Sequence, residues 1–298
     1  MVSIRITIRE CIQIDEGMSR MKVLVTGARG QLGYDVVQRL KELNIEHIGV
    51  DKEEFDLTNE KETKEFIRSY RPDVIVHCAA YTAVDKAEDE KEICHAVNVL
   101  GTRYVAEACK EIDAKMVYIS TDYVFDGEKN EPYEVDDKPN PINYYGLTKY
   151  LGEREVQNIL KKYFIVRISW VFGKNGSNFV KTMLRLGQER KEIRVVCDQV
   201  GSPTYTYDLA KLICEMIRTD KYGIYHATNE GYCSWYEFAC EIFKAAGMDV
   251  KVIPIKSDEY PTKAKRPKNS RLSKNRLEFM GFNLLPHWRD ALERYIIN

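Results

Sequence analysis

Short apolar runs alternate with longer amphipathic segments between Met21 and about Ser169. The runs are short and apolar throughout, which is typical of strands buried on both faces of a sheet. They predict strands over Lys22–Thr26, His47–Asp51, Val74–Cys78, Met116–Thr121 and Phe164–Ser169. The segments between them predict a helix with Leu32, Val36, Val37, Leu40 and Leu43 on one face, and further helices over Glu60–Ser69, Glu88–Ile112 and Tyr144–Lys162. This alternation predicts an α/β fold with a doubly wound, parallel, Rossmann-type sheet that binds ligands at the carboxyl ends of its strands.

After Ser169 the alternation weakens and glycines and prolines become frequent, which predicts a smaller C-terminal α/β lobe that binds substrate. A helix near Tyr207–Arg218 and a strand near Gly223–Ala227 are regular enough to return to the large sheet. We therefore expect a dinucleotide-binding domain over residues 21–168 and about 203–230, and a substrate-binding lobe over about 169–202 and 231–298. Residues 1–20 are interpreted as an N-terminal extension, to which the sequence assigns no function.

Composition excludes several classes of protein. The 45 Lys and Arg against 46 Asp and Glu give a net charge of −1, which disfavours a general nucleic-acid binder. No apolar run approaches the roughly 18 residues of a membrane-spanning helix. The eight cysteines contain no CxxC, and charges interrupt the first 20 residues, so we expect reduced thiols and a cytoplasmic protein. The five scattered histidines predict no catalytic metal.

The first predicted strand leads directly into a glycine-rich turn and then into a helix. Its glycines have the spacing GxxGxxG. A turn without β-carbons allows backbone N–H groups and the positive end of a helix to approach a diphosphate. We therefore expect a dinucleotide cofactor here, although a tight turn without a ligand is the alternative. The expected contacts are Gly27, Arg29, Gly30, Gln31, Leu32 and Gly33.

The cofactor's identity depends on two nearby residues. Asp51 follows Gly33 by 51 − 33 = 18 residues, near the offset of roughly 20 residues expected for a carboxylate that binds the adenosine ribose. This favours NAD(H). Arg29 is placed to bind the 2′-phosphate of NADP(H) instead, and a surface arginine is an equally ordinary interpretation. The sequence therefore predicts NADPH or NADH and leaves the choice open.

Tyr145 and Lys149 are four residues apart and share one face of a predicted helix. A phenol ionises near pKa 10, and a neighbouring cation lowers that pKa toward a range useful for acid–base chemistry. The spacing alone is weak, because Tyr207 and Lys211 repeat it. The context of Tyr145 is stronger, since a strand ending at Thr121 precedes it by 24 residues and would aim a hydroxyl into the same crevice.

Together these motifs, in this order, resemble the extended short-chain dehydrogenases/reductases that act on nucleotide sugars, over residues 21–298. The resemblance implies that Tyr145 is the general acid/base, with Lys149 as its cationic partner. It implies that Thr121 hydrogen-bonds the reacting oxygen. It also implies that Asn98 helps to order a proton-relay water, whereas a helix residue bonded to main chain is the alternative.

Five longer signatures resemble the branch of this family that reduces a 4-keto sugar carried by dTDP. They begin at Ala79, Ser120, Ser169, Asp198 and Arg266. Sugar 4,6-dehydratases of the family usually have Thr-Asp-Glu, whereas the third residue here is a tyrosine. The implied reaction is hydride transfer from the reduced nicotinamide C4 to the sugar's C4 ketone, with a proton from the catalytic tyrosine.

The resemblance also implies binding residues. Those near the dinucleotide are Asp56, Leu57, Ala79, Ala80 and Tyr81, together with Tyr145 and Lys149. Those near the substrate are Thr121, Asp122, Trp170 and Arg266. Trp170 is also interpretable as a buried core residue. Arg266 lies in a run of seven cations, Lys263 to Arg276, which is also typical of a solvated face.

Two other functions remain open at this point. Regulatory subunits of methionine adenosyltransferase resemble this family, so a non-catalytic binding subunit is one alternative. Another nucleotide-sugar reductase or epimerase is the second. We expect a dTDP-sugar as the binding partner, with neither nucleic acid nor membrane, and a homodimer, found in some relatives, stays open.

Overall fold

The structure is a computed structural model that describes residues 21–297. The predicted N-terminal extension, residues 1–20, lies outside the described residues. Up to residue 168 the elements are β1 (Lys22–Thr26), α1 (Gln31–Glu42), β2 (Glu46–Val50), α2 (Glu60–Tyr70), β3 (Val74–His77), α3 (Lys91–His95), α4 (Thr102–Ile112), β4 (Lys115–Thr121), α5 (Tyr144–Ile159) and β5 (Tyr163–Ile168). They are followed by β6 (Val171–Phe172), α6 (Phe179–Glu189), β7 (Glu192–Val196), β8 (Val200–Gly201), β9 (Thr204–Tyr205), α7 (Thr206–Met216), β10 (Gly223–His226), β11 (Asn229–Glu230), β12 (Cys233–Ser234), α8 (Trp235–Ala245), β13 (Lys251–Ile255), β14 (Asn269–Ser270), α9 (Asn275–Phe279), β15 (Leu285–His287) and α10 (Trp288–Ile297).

A six-stranded parallel sheet forms the centre of the fold, in the order β10-β5-β4-β3-β1-β2. This confirms the predicted doubly wound, Rossmann-type α/β class. The connection from β1 to β2 runs in one direction along the sheet, and β3, β4 and β5 follow in the other. The order therefore reverses beside β1, and this reversal opens a crevice at the carboxyl ends of β1 and β3.

The sheet is apolar because helices cover both of its faces. Val23 and Val25 of β1 pack on one side with the stripe of α1 and with α7, while Leu24 packs on the other side against α2, α4 and α5. All three side chains are fully buried. Burial on both faces explains why the sequence shows continuous apolar runs rather than alternation.

The helix predicted over Glu88–Ile112 begins a little later and contains a π-helical segment. A single 3₁₀ turn, Lys86–Glu88, comes first, and α3 begins at Lys91. Between α3 and α4 the chain forms a π-helical segment, Ala96–Gly101. Such segments are rare and occur most often at functional sites. Hydrophobic periodicity did not predict the interruption.

The C-terminal lobe has small sheets and a core of its own. Strands β7 and β13 are parallel, and β8 pairs with β12 and β14. Helices α6, α8 and α10 enclose a core rich in aromatic side chains, which include Phe172, Tyr205, Phe238 and Trp288. The lobe thus has an aromatic core that is separate from the core of the large sheet.

The two elements expected to return to the large sheet are α7, which packs against α1, and β10, which pairs with β5. Leu277, Phe282 and Leu285, near the C-terminus, also contribute to the core of the large sheet. The exact division of the chain into two domains stays a prediction.

Candidate active site

A cavity of about 850 Å³ lies at the carboxyl ends of the central strands. This volume is within the range of pockets that bind small molecules and cofactors. Residues of the glycine turn, of α5 and of the C-terminal lobe all contribute to its wall. The cavity therefore joins the motifs that were separate in the sequence.

The glycine turn has a backbone that side chains would disrupt. Gly27 adopts φ +66°, and a β-carbon on it would lie 2.7 Å from the backbone nitrogen of Ala79. A β-carbon on Gly33 would lie 2.1 Å from the carbonyl oxygen of Gly27. Gly30 precedes α1 without a side-chain cap, and Gln31 and Leu32 line the cavity. The uncapped N-terminus of α1 fits a diphosphate.

Acidic residues surround the expected adenosine position. Asp51 Oδ2 accepts a hydrogen bond from the backbone N–H of Arg29, 2.8 Å away. Burial raises the pKa of Asp51, and that N–H opposes the rise. The exposed guanidinium of Arg29 contacts Glu53 at 2.7 Å and Glu54 at 3.8 Å. The Asp51 carboxylate fits ribose hydroxyls, whereas Arg29 would exchange the Glu53 contact for a 2′-phosphate.

The other expected cofactor residues are divided between the cavity wall and its surroundings. Asp56, Leu57, Ala79 and Ala80 line the cavity. The Tyr81 hydroxyl instead donates to Glu90 Oε2, 2.6 Å away. Hydrogen bonds from Thr58 hold the pKa of Asp56 low, so it stays a carboxylate. These residues therefore fit a dinucleotide along one wall, and the role of Tyr81 stays a prediction.

Thr121, Tyr145 and Lys149 line the same cavity. Thr121 ends β4, while Tyr145 lies in the first turn of α5, which Asn143 caps by accepting the Gly146 N–H at 2.7 Å. The Thr121 hydroxyl is close enough to the Tyr145 phenol to lower its pKa. The structure thus brings the three predicted catalytic side chains together, although their roles stay predictions.

Burial controls the protonation states of this group. It raises the pKa of Tyr145, as does the charge of Asp122, while Thr121 lowers it. The shift is opposite to the one expected from the lysine alone. Burial also lowers the pKa of Lys149 to about 7 and raises that of Asp122 to about 6. Tyr145 is therefore protonated at neutral pH and ready to donate, and Lys149 titrates in the physiological range.

Asn98 lies in the π-helical segment and is buried. Its Oδ1 accepts the Tyr81 N–H at 2.8 Å, and its Nδ2 donates to the Tyr81 carbonyl at 3.1 Å and to Thr148 Oγ1 at 3.0 Å. This is the main-chain-bonded arrangement given above as the alternative. A role in ordering a relay water stays a prediction.

Trp170 forms part of the cavity wall through an unusual backbone conformation. Its φ is +48°, a genuine outlier for a bulky residue, and such strain is concentrated at functional sites. Its ring stacks on Trp235 with centroids 3.7 Å apart. Both indoles line the cavity. Trp170 is therefore both a packed aromatic residue and part of the cavity wall, and its contact with a ligand stays a prediction.

Arg266 forms an ion pair with Asp85. Its guanidinium donates to both carboxylate oxygens of Asp85, at 3.0 and 2.6 Å. A hydrogen bond from Ala264 N–H to Asp85 strengthens this link. Arg266 also lines a neighbouring cavity of about 360 Å³. Contact between Arg266 and substrate stays a prediction.

Sequence reasoning missed several residues of the site. Trp235 and Asp85 had no local signal, because their partners are far away in the chain. Glu153 follows Lys149 by one helical turn, and Arg167 lies in the apolar strand β5. A charged residue inside a buried strand is the one signal that could have revealed this pair.

Residues 21–297 were searched for groups of metal ligands, for membrane-spanning helices and for disulfides. None of their His, Cys, Asp and Glu side chains form a group of three or more suited to a metal ion. No helix in this part of the chain is long and apolar enough to cross a bilayer. The cysteines described there are free thiols, and Cys94, Cys109, Cys214 and Cys233 are buried.

A family model described as the RmlD substrate binding domain matches residues 21–298. The spore coat polysaccharide biosynthesis protein SpsK of Bacillus subtilis is 42% identical over 275 residues, which cover 92% of this chain and 96% of that protein. The dTDP-4-dehydrorhamnose reductase of Aggregatibacter actinomycetemcomitans is 41% identical, with 91% and 97% of the two chains covered. The similarity therefore extends over nearly the whole length of both proteins.

A solved structure agrees with this relationship. The crystal structure of dTDP-4-dehydrorhamnose reductase from Bacillus anthracis in complex with NADP superposes with a TM-score of 0.91. The two proteins are 48% identical, and the match covers 93% of this chain and 99% of the other. The fold described above is thus shared with a reductase that was crystallised with NADP.

Proposed function

The chain belongs to the RmlD substrate binding domain family, and on that premise we propose that it reduces dTDP-4-dehydro-L-rhamnose to dTDP-L-rhamnose with NADPH or NADH. It is an NAD(P)H-dependent oxidoreductase. The relatives of Aggregatibacter and Bacillus anthracis carry the name of this reaction. Reduction of the C4 ketone of a dTDP-sugar is therefore its activity.

The observation that carries this proposal is the convergence of two motifs on one cavity. The glycine turn and the group of Thr121, Tyr145 and Lys149 line the same 850 Å³ space. A reductase needs its cofactor and its proton donor on the same carbonyl, since orientation contributes much of the rate. The cavity supplies both from residues that are 88 or more positions apart in sequence, since 121 − 33 = 88.

The cofactor, when bound, supplies a hydride to the sugar's C4. The side chains of this protein supply the proton and the charge stabilisation. Tyr145 donates its phenol proton to the carbonyl oxygen, because burial keeps it protonated. When substrate binds, the Thr121 hydroxyl turns from Asp122 Oδ1 to donate a hydrogen bond to the same oxygen. The ammonium of Lys149 stabilises the phenolate that remains.

The sugar nucleotide lies between the sheet and the C-terminal lobe. Trp170 packs against the flat face of a ring, and Asp122 accepts from a sugar hydroxyl. Arg266 and its neighbours Lys265 and Lys268 line the adjoining cavity. A planar guanidinium among lysines suits a diphosphate, so Arg266 exchanges Asp85 for substrate oxygens when the complex forms.

Cofactor oxidation tests the proposal. Purified protein is mixed with dTDP-4-dehydro-L-rhamnose and either NADPH or NADH, and the absorbance of the reduced nicotinamide is followed. We expect it to fall in step with formation of dTDP-L-rhamnose. No oxidation with either cofactor would reject the proposal. An epimerase would instead retain oxidised cofactor through purification, and a regulatory subunit would bind and activate a synthetase without any oxidation.

The proposal includes a cytoplasmic location and a homodimer. Free thiols such as Cys78 and Cys197, both partly accessible, favour a reducing compartment. Cell fractionation tests the first and sedimentation of the purified protein tests the second. A membrane-bound or secreted pool, or a monomer at working concentrations, would contradict these parts.

A further inference from the structure

A buried ion pair lies next to the catalytic helix. Glu153 is 1% exposed and Arg167 is 2% exposed. Arg167 Nε donates to Glu153 Oε1 and Nη2 donates to Oε2, both at 2.8 Å. Ser120 Oγ donates to Glu153 Oε1 at 2.6 Å. The carboxylate is therefore held by three charge-assisted or polar donors in the protein interior.

Burying an ion pair carries a large desolvation penalty. The free energy lost by removing two charges from water often exceeds the free energy gained from their attraction. A buried ion pair is therefore weak evidence of a stabilising role. Arg167 is further fixed by the Val135 carbonyl at 3.2 Å and by the Phe125 ring, whose centroid is 5.1 Å from its guanidinium carbon. A rigidly held charge suggests a task beyond packing.

The pair joins the two elements that carry the catalytic group, α5 and β4, to the neighbouring strand β5. Glu153 lies on α5, one turn beyond Lys149 and two turns beyond Tyr145. Ser120 immediately precedes Thr121 on β4, and Arg167 is its register partner on β5. The Glu153 carboxylate thus connects α5 to the end of the strand that presents Thr121.

The surroundings of Lys149 show why a carboxylate is needed there. Its ammonium lies 4.1 Å from the Tyr118 ring centroid, and burial lowers its pKa to about 7. The other titratable groups that face it come from its own helix and from β3 and α3; they are Tyr145, Glu153, His77, Cys78 and Cys94. Burial keeps His77 neutral, with a pKa of about 3, and raises the pKa of both cysteine thiols. Glu153 is the member of this group that is a carboxylate.

We propose that Glu153 is a positioning residue for the reduction: it keeps Lys149 in the ammonium form and fixes α5 against the end of β4 that carries Thr121. Arg167 holds Glu153 in place for this task. The inference rests on the proposed function, because it assigns a purpose to Lys149 in that reaction. It adds Glu153 and Arg167 to the side chains that the sequence indicated.

The test measures Lys149 directly in the cofactor-free protein. Lysine Cε resonances are followed by NMR over pH, and the Lys149 signal is identified by its absence from Lys149→Arg. We expect Glu153→Gln to lower the titration midpoint by about one pH unit, as for loss of an adjacent opposite charge. Glu153→Asp keeps the charge and should keep the midpoint.

Two further variants separate this effect from damage to the fold. Glu153→Leu combined with Arg167→Met removes both charges and should keep a melting temperature near that of the wild type, yet it should also lower the Lys149 midpoint. Asp208→Asn breaks another ion pair, in which Asp208 is buried and Arg294, 2.7 Å away, is partly exposed. It should lower the melting temperature and leave the Lys149 midpoint unchanged.

The same variants are then assayed for keto-sugar reduction over pH. In Glu153→Gln the alkaline limb of kcat/KM should move to lower pH with the NMR midpoint, and Glu153→Asp should restore it. An unchanged midpoint in both charge-removing variants would overturn the proposal, and so would an equal shift in Asp208→Asn. A wild-type protein that fails to reduce the keto sugar would count against the proposed function alone, because the titration needs no substrate.

Discussion

Replacing Tyr145 by phenylalanine tests the proton donor most directly. The ring remains, including its edge contact with Tyr123 at 5.8 Å between centroids, but the acidic proton is lost. A positioned general acid contributes about 10²- to 10⁴-fold to a rate, which corresponds to about 2.7–5.4 kcal/mol of barrier. Stability should change by only about 1 kcal/mol, because Thr121 still donates to Asp122 Oδ1 at 3.0 Å.

The assay is single-turnover oxidation of cofactor by the keto sugar, with the cofactor Kd and the melting temperature measured in parallel. We expect kcat to fall by the factor given above while the Kd hardly changes. Tyr144→Phe is the matched control, since this neighbour lies on the same helix and outside the cavity wall, and it should retain normal turnover. A Tyr145→Phe enzyme with nearly normal kcat would refute the assignment.

Three further predictions concern two residues of the glycine turn and one residue of the cavity wall. Gly33→Ala should abolish cofactor binding in a fluorescence titration, because its β-carbon would lie 2.1 Å from the Gly27 carbonyl oxygen; retained affinity would contradict the close-packed turn. Arg29→Ala should raise the KM for NADPH by about tenfold, as for one exposed charge-assisted hydrogen bond, and leave that for NADH unchanged; equal effects on both would exclude a 2′-phosphate contact. Burial raises the pKa of Asp122 to about 6 and leaves its Oδ2 without a partner, so ionisation costs stability as pH rises through that value. Urea unfolding of cofactor-free Asp122→Asn should therefore show a gain of about 3 kcal/mol in alkaline buffer that disappears in acid below the unfolded pKa; a gain independent of pH would contradict it.

The sequence predicted the central sheet well because its strands are buried on both faces. Each of β1 to β5 lies within one residue of its predicted position at both ends. The small offsets arise because pairing, rather than hydrophobicity, decides where a strand begins. Glu46, for example, is polar and exposed but starts β2 as the register partner of Lys22.

The sequence predicted those parts of the candidate site whose residues lie close together along the chain. The GxxGxxG turn and the Tyr145/Lys149 spacing are features of short segments, and the structure places both on the cavity. Contacts between distant segments have no such signature. Arg266 and Asp85 are 181 positions apart, and Arg266 is held by that carboxylate. The direction of the Tyr145 pKa shift also depends on burial, which four-residue spacing does not reveal.

The six residues of the π-helical segment Ala96–Gly101 have an evolutionary consequence. Each residue of an α-helix turns the chain by about 100°, so one codon gained or lost here would swing α4 by more than a quarter turn relative to α3. Val105 and Cys109 would then leave the core of the sheet, or Cys94 would leave the vicinity of Lys149. Homologues that keep this site should therefore tolerate exchanges of side chain in this segment but not a change in its length.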